Sequence, residues 1–191
     1  MDADGLTFAV ATTAEERVAK RLGLTTVRVG IGVANGVPEG RLVSFGLAGS
    51  LGELGVGDVL DATRVVDETG TTLWEGPGLG VRGARAGVVL GGDVLVHDAA
   101  ERARLREASG ADAVDMESAV LARSGRLAGV VRAVSDDADS VIEGVDTTVH
   151  LDGRANVAGL LRWVATRRGN AFRSMKDALK ALNALERAVA A

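Results

Sequence analysis

The sequence predicts an α/β fold, a single three-layer α/β/α domain with a mixed, mainly parallel central sheet and helices at its C-terminal end. Three observations carry this. Short continuous apolar runs recur between residues 6 and 134, as expected of strands buried on both faces of a sheet. Charged, helix-forming stretches alternate with them, the pattern of parallel strands joined by helices. From about residue 155 to 190 the pattern becomes helical throughout. With 191 residues, no internal repeat and no low-complexity linker, residues 1–191 read as one domain.

The elements follow in order. Leu6–Ala11 reads as a first buried strand. Ala14–Leu22 carries helix formers and charges, with Thr12 or Thr13 as N-cap. Val27–Val33, Arg41–Phe45, Asp58–Val66 and Ala86–Leu90 are β-rich. Ala99–Ser109 is a charged helix, and Ala113–Ser124 a second, stopped by Gly125. Val130–Val134 is another buried strand. Leu160, Leu161 and Val164 line a helix ending near Gly169. Phe172, Met175, Leu179, Leu182, Leu185 and Val189, at steps of three and four, stripe the last one.

Composition narrows the chemistry. The absence of cysteine removes disulfides, thiolate nucleophiles and Cys-ligated zinc, and two separated histidines, His97 and His150, make no metal site. No metal is expected. A net charge of -4 argues against nucleic-acid binding. The opening MDADGLTFAV has no basic region before a long apolar run, and no stretch reaches the roughly 18 apolar residues of a membrane span, so a cytoplasmic chain is expected.

Three segments carry chemistry. Ser44-Phe-Gly-Leu-Ala-Gly-Ser-Leu-Gly52 follows a strand, and its glycines allow close backbone approach and a nest of N–H groups; alone it is equally an ordinary tight turn. Ala113-Val-Asp-Met-Glu-Ser-Ala119 puts an acidic pair around a methionine at a helix start, which is either a common acidic first turn or a carboxylate that holds sugar hydroxyls. Arg132-Ala-Val-Ser-Asp-Asp-Ala-Asp139 follows a buried strand, where ligands of α/β sheets bind. It is either a solvated acidic loop or a proton donor.

Taken together and in this order, the three segments resemble the superfamily of methylthioadenosine/S-adenosylhomocysteine nucleosidases, purine nucleoside phosphorylases and uridine phosphorylases. Gly55-Val-Gly-Asp-Val59 and Gly91-Gly-Asp-Val-Leu-Val96 extend the likeness over most of residues 6–140. Ser-Phe-Gly-Leu-Ala-Gly, Val-Asp-Met-Glu-Ser, Arg-Ala-Val-Ser-Asp and the tail from Leu151 to Arg162 look most like the hopanoid-biosynthesis-associated members, which remove adenine from an adenosylated lipid.

The resemblance implies cleavage of the bond between a purine and its ribose, with a 5′-substituted adenosine as substrate. A methylthioadenosine or futalosine-type nucleosidase and an inactive nucleoside-binding relative are the alternatives. It implies that Asp136 protonates the purine, Ser135 orients it, Glu117 binds ribose hydroxyls, Met116 packs on the sugar, and Leu95 and Val96 contact the base. The acceptor would lie near Ala48 and Gly49, with Arg17 for phosphate or Glu16 for water. Phosphate and water are alternative co-substrates, and no cofactor is implied.

The sequence also departs from the family. Leu95 stands where nucleosidases often have an aromatic, Ser44 and Leu47 stand where phosphorylases tend to carry arginine and threonine, and only Val37–Arg41 replaces a helix. The implied partners are a small nucleoside and a second copy in a homodimer. Seven Lys or Arg stand from Arg162 to Arg187, four of them after Phe172 on the last helix, which gains a basic rim. That rim reads either as solvated or as a peripheral contact with the inner membrane face.

Overall fold

The computed structural model describes residues 3–92, 96, 98–138, 149–156 and 168–190. Strand β1 (Leu6–Val10) leads into helix α1 (Thr13–Arg21). Thr12 caps α1: its hydroxyl accepts from Glu15 N at 3.3 Å, and the Glu15 carboxylate accepts from Thr12 N at 2.7 Å. Strand β2 (Thr26–Arg28) is shorter than the sequence suggests. Gly30, at φ +77°, turns the chain into a 3-10 turn over Ile31–Val33.

Strand β3 (Arg41–Ser50) runs further than expected, through the glycine-rich segment. Strands β4 (Val59–Val66) and β5 (Thr72–Glu75) form a hairpin whose second arm the sequence did not signal, closed by Asp67, which accepts from the N–H groups of Thr69 and Thr71. Strand β6 (Arg85–Gly91) and helix α2 (Ala99–Ser109) follow as read, with Asp98 as N-cap.

The expected helix over Ala113–Ser124 divides into strand β7 (Ala113–Asp115) and helix α3 (Ser118–Arg123). The cause is Asp115, whose carboxylate accepts from the N–H groups of Glu117 and Ser118 at 3.2 and 2.9 Å. This starts the helix late and leaves the preceding residues extended. Strand β8 (Leu127–Asp136) is next. Helix α4 (Arg168–Ala190) includes Gly169 in its first turn, so that residue is not a helix stop. The helix expected around Leu160, Leu161 and Val164 falls outside the described residues.

The strands form one mixed, mainly parallel sheet. β3 pairs with β8 in parallel, β8 with β4 antiparallel, β4 with β6 in parallel, β6 with β7 in parallel and β7 with β3 antiparallel, so these five close a ring. β1 and β2 extend from β3, and β5 from β4. α4 lies on β8, β3 and β4 and meets α1, where Arg21 makes an ion pair with Glu186. In that layer Phe8 and Phe45 pack edge to face, 5.6 Å between ring centroids, near Leu182 and Leu185. The apolar stripe of α4 is split: Leu182 and Leu185 are buried, while Phe172, Met175 and Leu179 are exposed.

Among the described residues no helix is long and apolar enough to cross a membrane, and no cluster of His, Asp or Glu could hold a metal.

Candidate active site

The parallel strands β3 and β8 carry two polar clusters toward their C-terminal ends. The first surrounds Arg132, an arginine inside an otherwise apolar strand and 1% exposed. Such a cation persists in a core only when paired. Its Nη2 lies 2.6 Å from Asp115 Oδ2 and 3.3 Å from Glu117 Oε2, and donates to Ser44 Oγ at 2.6 Å. Nη1 donates to Leu47 O at 3.3 Å. Ser118 Oγ donates to Asp115 and is hydrogen-bonded to Ser44 Oγ at 3.0 Å, tying the start of α3 to β3.

Glu15 faces this cluster from α1. It is 3% exposed; Oε2 accepts from Thr12, and Oε1 accepts from Leu47 N at 2.8 Å. The capping that starts α1 therefore also fixes a carboxylate against β3. Glu117 is held from the other side by Gly32 N, which donates to its Oε1 at 3.1 Å.

Three carboxylates thus share one guanidinium. Burial, reinforced by Asp115 and Glu15 and opposed by Arg132 and the Gly32 N–H, pushes Glu117 up to about 7. Burial weakens the Arg132 cation, but Asp115, Glu117 and Glu15 outweigh it and hold its pKa above the usual value.

The second cluster centres on Asp136, the last residue of β8. Oδ1 accepts from Ser135 Oγ at 2.7 Å and Oδ2 from Arg102 Nη2 at 2.5 Å. Arg102 comes from α2, is 1% exposed, and also donates to Ser50 O at 2.8 Å and Val96 O at 3.2 Å. Burial raises the Asp136 pKa against the opposing pull of Arg102 and Ser135. Gly49 permits the arrangement, since a Cβ there would lie 2.7 Å from Asp136 Oδ2 and 2.9 Å from Arg102 Nη1.

The structure brings together Ser135, Asp136, Val96, Ala48 and Gly49: Ser135 Oγ also donates to Ala48 O at 3.3 Å. Met116, half-buried, and Glu117 stand at the Arg132 cluster, where Gly32 approaches the Met116 carbonyl. Leu95 is outside the described residues. Glu16 and Arg17 do not join either cluster. Glu16 pairs with Lys20 at 2.7 Å and Arg28 at 2.9 Å, and Arg17 is exposed. Ala48 and Gly49 stand at the Asp136 end, away from that face of α1.

Sequence reasoning missed Glu15, Asp115, Ser44, Arg132 and Arg102 as site residues. Two of them had a signal. Thr12 and Glu15 have the spacing of a capping box, and an arginine in the run Val130–Val134 demands buried partners. Arg102 had none, because α2 reads as charged all round.

Comparison with known proteins finds likeness to one family model and to several solved structures. The family model of the phosphorylase superfamily matches residues 78–164, a span holding Met116, Glu117, Arg132, Ser135 and Asp136. No curated protein sequence matches. Among solved structures, futalosine hydrolase of Helicobacter pylori is 17% identical with a TM-score of 0.55, covering 95% of this chain and 98% of that one. The 5′-methylthioadenosine/S-adenosylhomocysteine nucleosidase of Neisseria meningitidis, in complex with methylthio-immucillin-A, is 19% identical with a TM-score of 0.55, covering 92% and 98%. That of S. pneumoniae, with a transition-state inhibitor, is 15% identical with a TM-score of 0.57, covering 93% and 99%.

Proposed function

We propose that this chain belongs to the phosphorylase superfamily, whose model matches residues 78–164, and that it hydrolyses the N-glycosidic bond of a purine nucleoside, most simply a 5′-substituted adenosine. One observation carries the reading. Arg132 and Asp136 of β8 pair with Gly46 and Gly49 of β3, with a bulge between them, so the two clusters stand about 10 Å apart along the sheet. That is the span of a nucleoside with its ribose at one cluster and its base at the other.

Cleavage leaves the electron pair of the C1′–N9 bond on the departing purine while positive charge builds on the ribose. Asp136 gives its proton to N7 of the leaving base, and burial, which favours its neutral form, suits it to that task. Ser135 fixes the carboxyl's orientation, and Val96 lines the base. Glu117 accepts from the ribose hydroxyls, and Met116 covers the sugar. The negative surroundings of the sugar stabilise its developing charge.

The acceptor is water. Glu15, Asp115 and Glu117 around one guanidinium make a cluster that repels a phosphate dianion and suits a neutral nucleophile. Glu15 takes the proton of the attacking water, and Arg132 holds the oxygen. Arg17, on the exposed side of α1, and Glu16, committed to Lys20 and Arg28, serve neither acceptor. No cofactor takes part.

The first test is base release from methylthioadenosine, adenosine, inosine, futalosine and adenosylhopane, each with and without phosphate. Release without phosphate, with Asp136→Asn losing turnover far more than affinity, is the expected result. Undiminished turnover in Asp136→Asn removes the assigned role, and strict dependence on phosphate removes hydrolysis. Nucleoside binding without release from any substrate would make the chain an inactive relative.

A lipid-borne nucleoside such as adenosylhopane is a second reading of the substrate, favoured by α4. Phe172, Met175 and Leu179 are exposed beside Lys176 and Lys180, the combination that binds an anionic membrane surface. Under it the enzyme is a cytoplasmic homodimer that touches the inner membrane face. Equal, negligible sedimentation with anionic liposomes of the full chain and of a Phe172→Ser, Leu179→Ser variant would remove this reading.

A further inference from the structure

We infer that Arg102 is a positioning residue for the leaving-group acid: from outside the base-binding surface it sets the orientation and the acidity of Asp136. The inference rests on the proposed role of Asp136 and adds to it a residue on a different element. Arg102 sits on α2, fully enclosed, and its guanidinium ties three segments that meet at the base side: the end of β3 through Ser50 O, the segment before α2 through Val96 O, and the end of β8 through Asp136 Oδ2. Gly49 leaves the room in which Asp136 and Arg102 meet. A bridge held at three points cannot follow Asp136 if that side chain rotates, so it specifies one orientation of the carboxyl.

Among the described residues the charges that bear on Asp136 are few. Arg102 approaches from α2, Asp137 follows it on its own chain, and β3 presents Ala48, Gly49 and Ser50, none of them ionisable. Burial alone would hold the carboxyl firmly protonated and make it a reluctant donor. The nearby cation compensates, stabilising the carboxylate that remains once the proton has passed to N7. Arg102 thus separates two demands on one side chain: burial keeps the proton available, and the guanidinium lets it leave.

The test uses Arg102→Gln, which keeps hydrogen-bonding capacity without charge, and Arg102→Lys, which keeps the charge without the three-point bridge. The Asp136 carboxyl is titrated by carbon-13 NMR in the full chain, its signal identified by loss in Asp136→Asn. Arg102→Gln is expected to raise the apparent pKa by about one unit or more, a tenfold change in the protonation equilibrium. Arg102→Lys is expected to shift it less. In parallel kcat should fall more than KM changes, and the alkaline limb of the pH–rate profile should move up with the titration. An Asp136 titration in Arg102→Gln that matches the wild type overturns the inference, as does a Lys variant displaced as far as the Gln variant. The titration needs no turnover, so it stands apart from the test of Asp136 as proton donor. Wild-type turnover in Asp136→Asn would end that reading whatever Arg102 does to the carboxyl.

Discussion

Gly46 stands where any side chain would collide with the carboxylate of Glu15. A Cβ on Gly46 would lie 2.1 Å from Glu15 Oε1 and 2.8 Å from Arg132 Nη1. A single absent methyl on β3 lets the α1 carboxylate and the β8 guanidinium share one space. Gly46→Ala should therefore displace Glu15 rather than merely crowd it. Turnover is expected to fall about 100-fold, the scale of a misplacement near 1 Å, with the fold retained. Steady-state kinetics together with circular dichroism check this, and wild-type kcat in a folded Gly46→Ala would show that the contact is dispensable.

Neighbouring carboxylates on α1 should behave oppositely. Glu15→Gln is expected to lower kcat by about 100-fold or more as the proposed base for water is lost. Glu16→Gln removes only ion pairs to Lys20 and Arg28 at the helix surface and should change turnover less than about twofold. Equal losses in the two variants would place the acceptor elsewhere on α1.

Arg132→Met should destabilise the chain by about 3–5 kcal/mol, since Asp115 and Glu117 would be left buried without their counter-charge. Urea unfolding measures it. A double variant, Arg132→Met with Asp115→Asn, should recover part of the loss, because one of the stranded charges is then removed.

Glu117 predicts a pH dependence of stability. Its native pKa of about 7 exceeds the ordinary 4.5, so between those values the folded chain binds more protons than the unfolded one. Stability from this group is therefore full below pH 4.5, falls as pH rises toward 7, and is level beyond. Relative to the wild type, Glu117→Gln should gain about 1–3 kcal/mol between pH 5 and 8. Unfolding curves at both pH values check it, and a difference that does not change with pH would show that Glu117 is ionised throughout.

Much of this architecture was legible from local pattern. β1, β4, β6 and α2 appear where apolar runs and helix formers place them. What escaped notice depended on contacts distant in sequence. Asp115 reads as part of a helix until its carboxylate is seen to cap the next turn, which leaves β7 free to pair with β3 and β6. Glu15 and Glu16 are indistinguishable as letters; the register of α1 against β3 turns one inward to Leu47 and the other outward to Arg28. Arg102 is silent in the sequence because its three acceptors come from three separate segments.

The ring of five strands has a consequence for how the molecule opens. β3 and β8, which carry both polar clusters, are paired along both edges, so neither can peel away as an end strand does. Amide hydrogens of Val130–Val134 should exchange with deuterium only when the whole domain comes apart, and those of β5, at the sheet's margin, much sooner. The strands of the proposed active site would then be among the last parts of the protein to yield to heat, so loss of activity on warming should coincide with global unfolding rather than precede it.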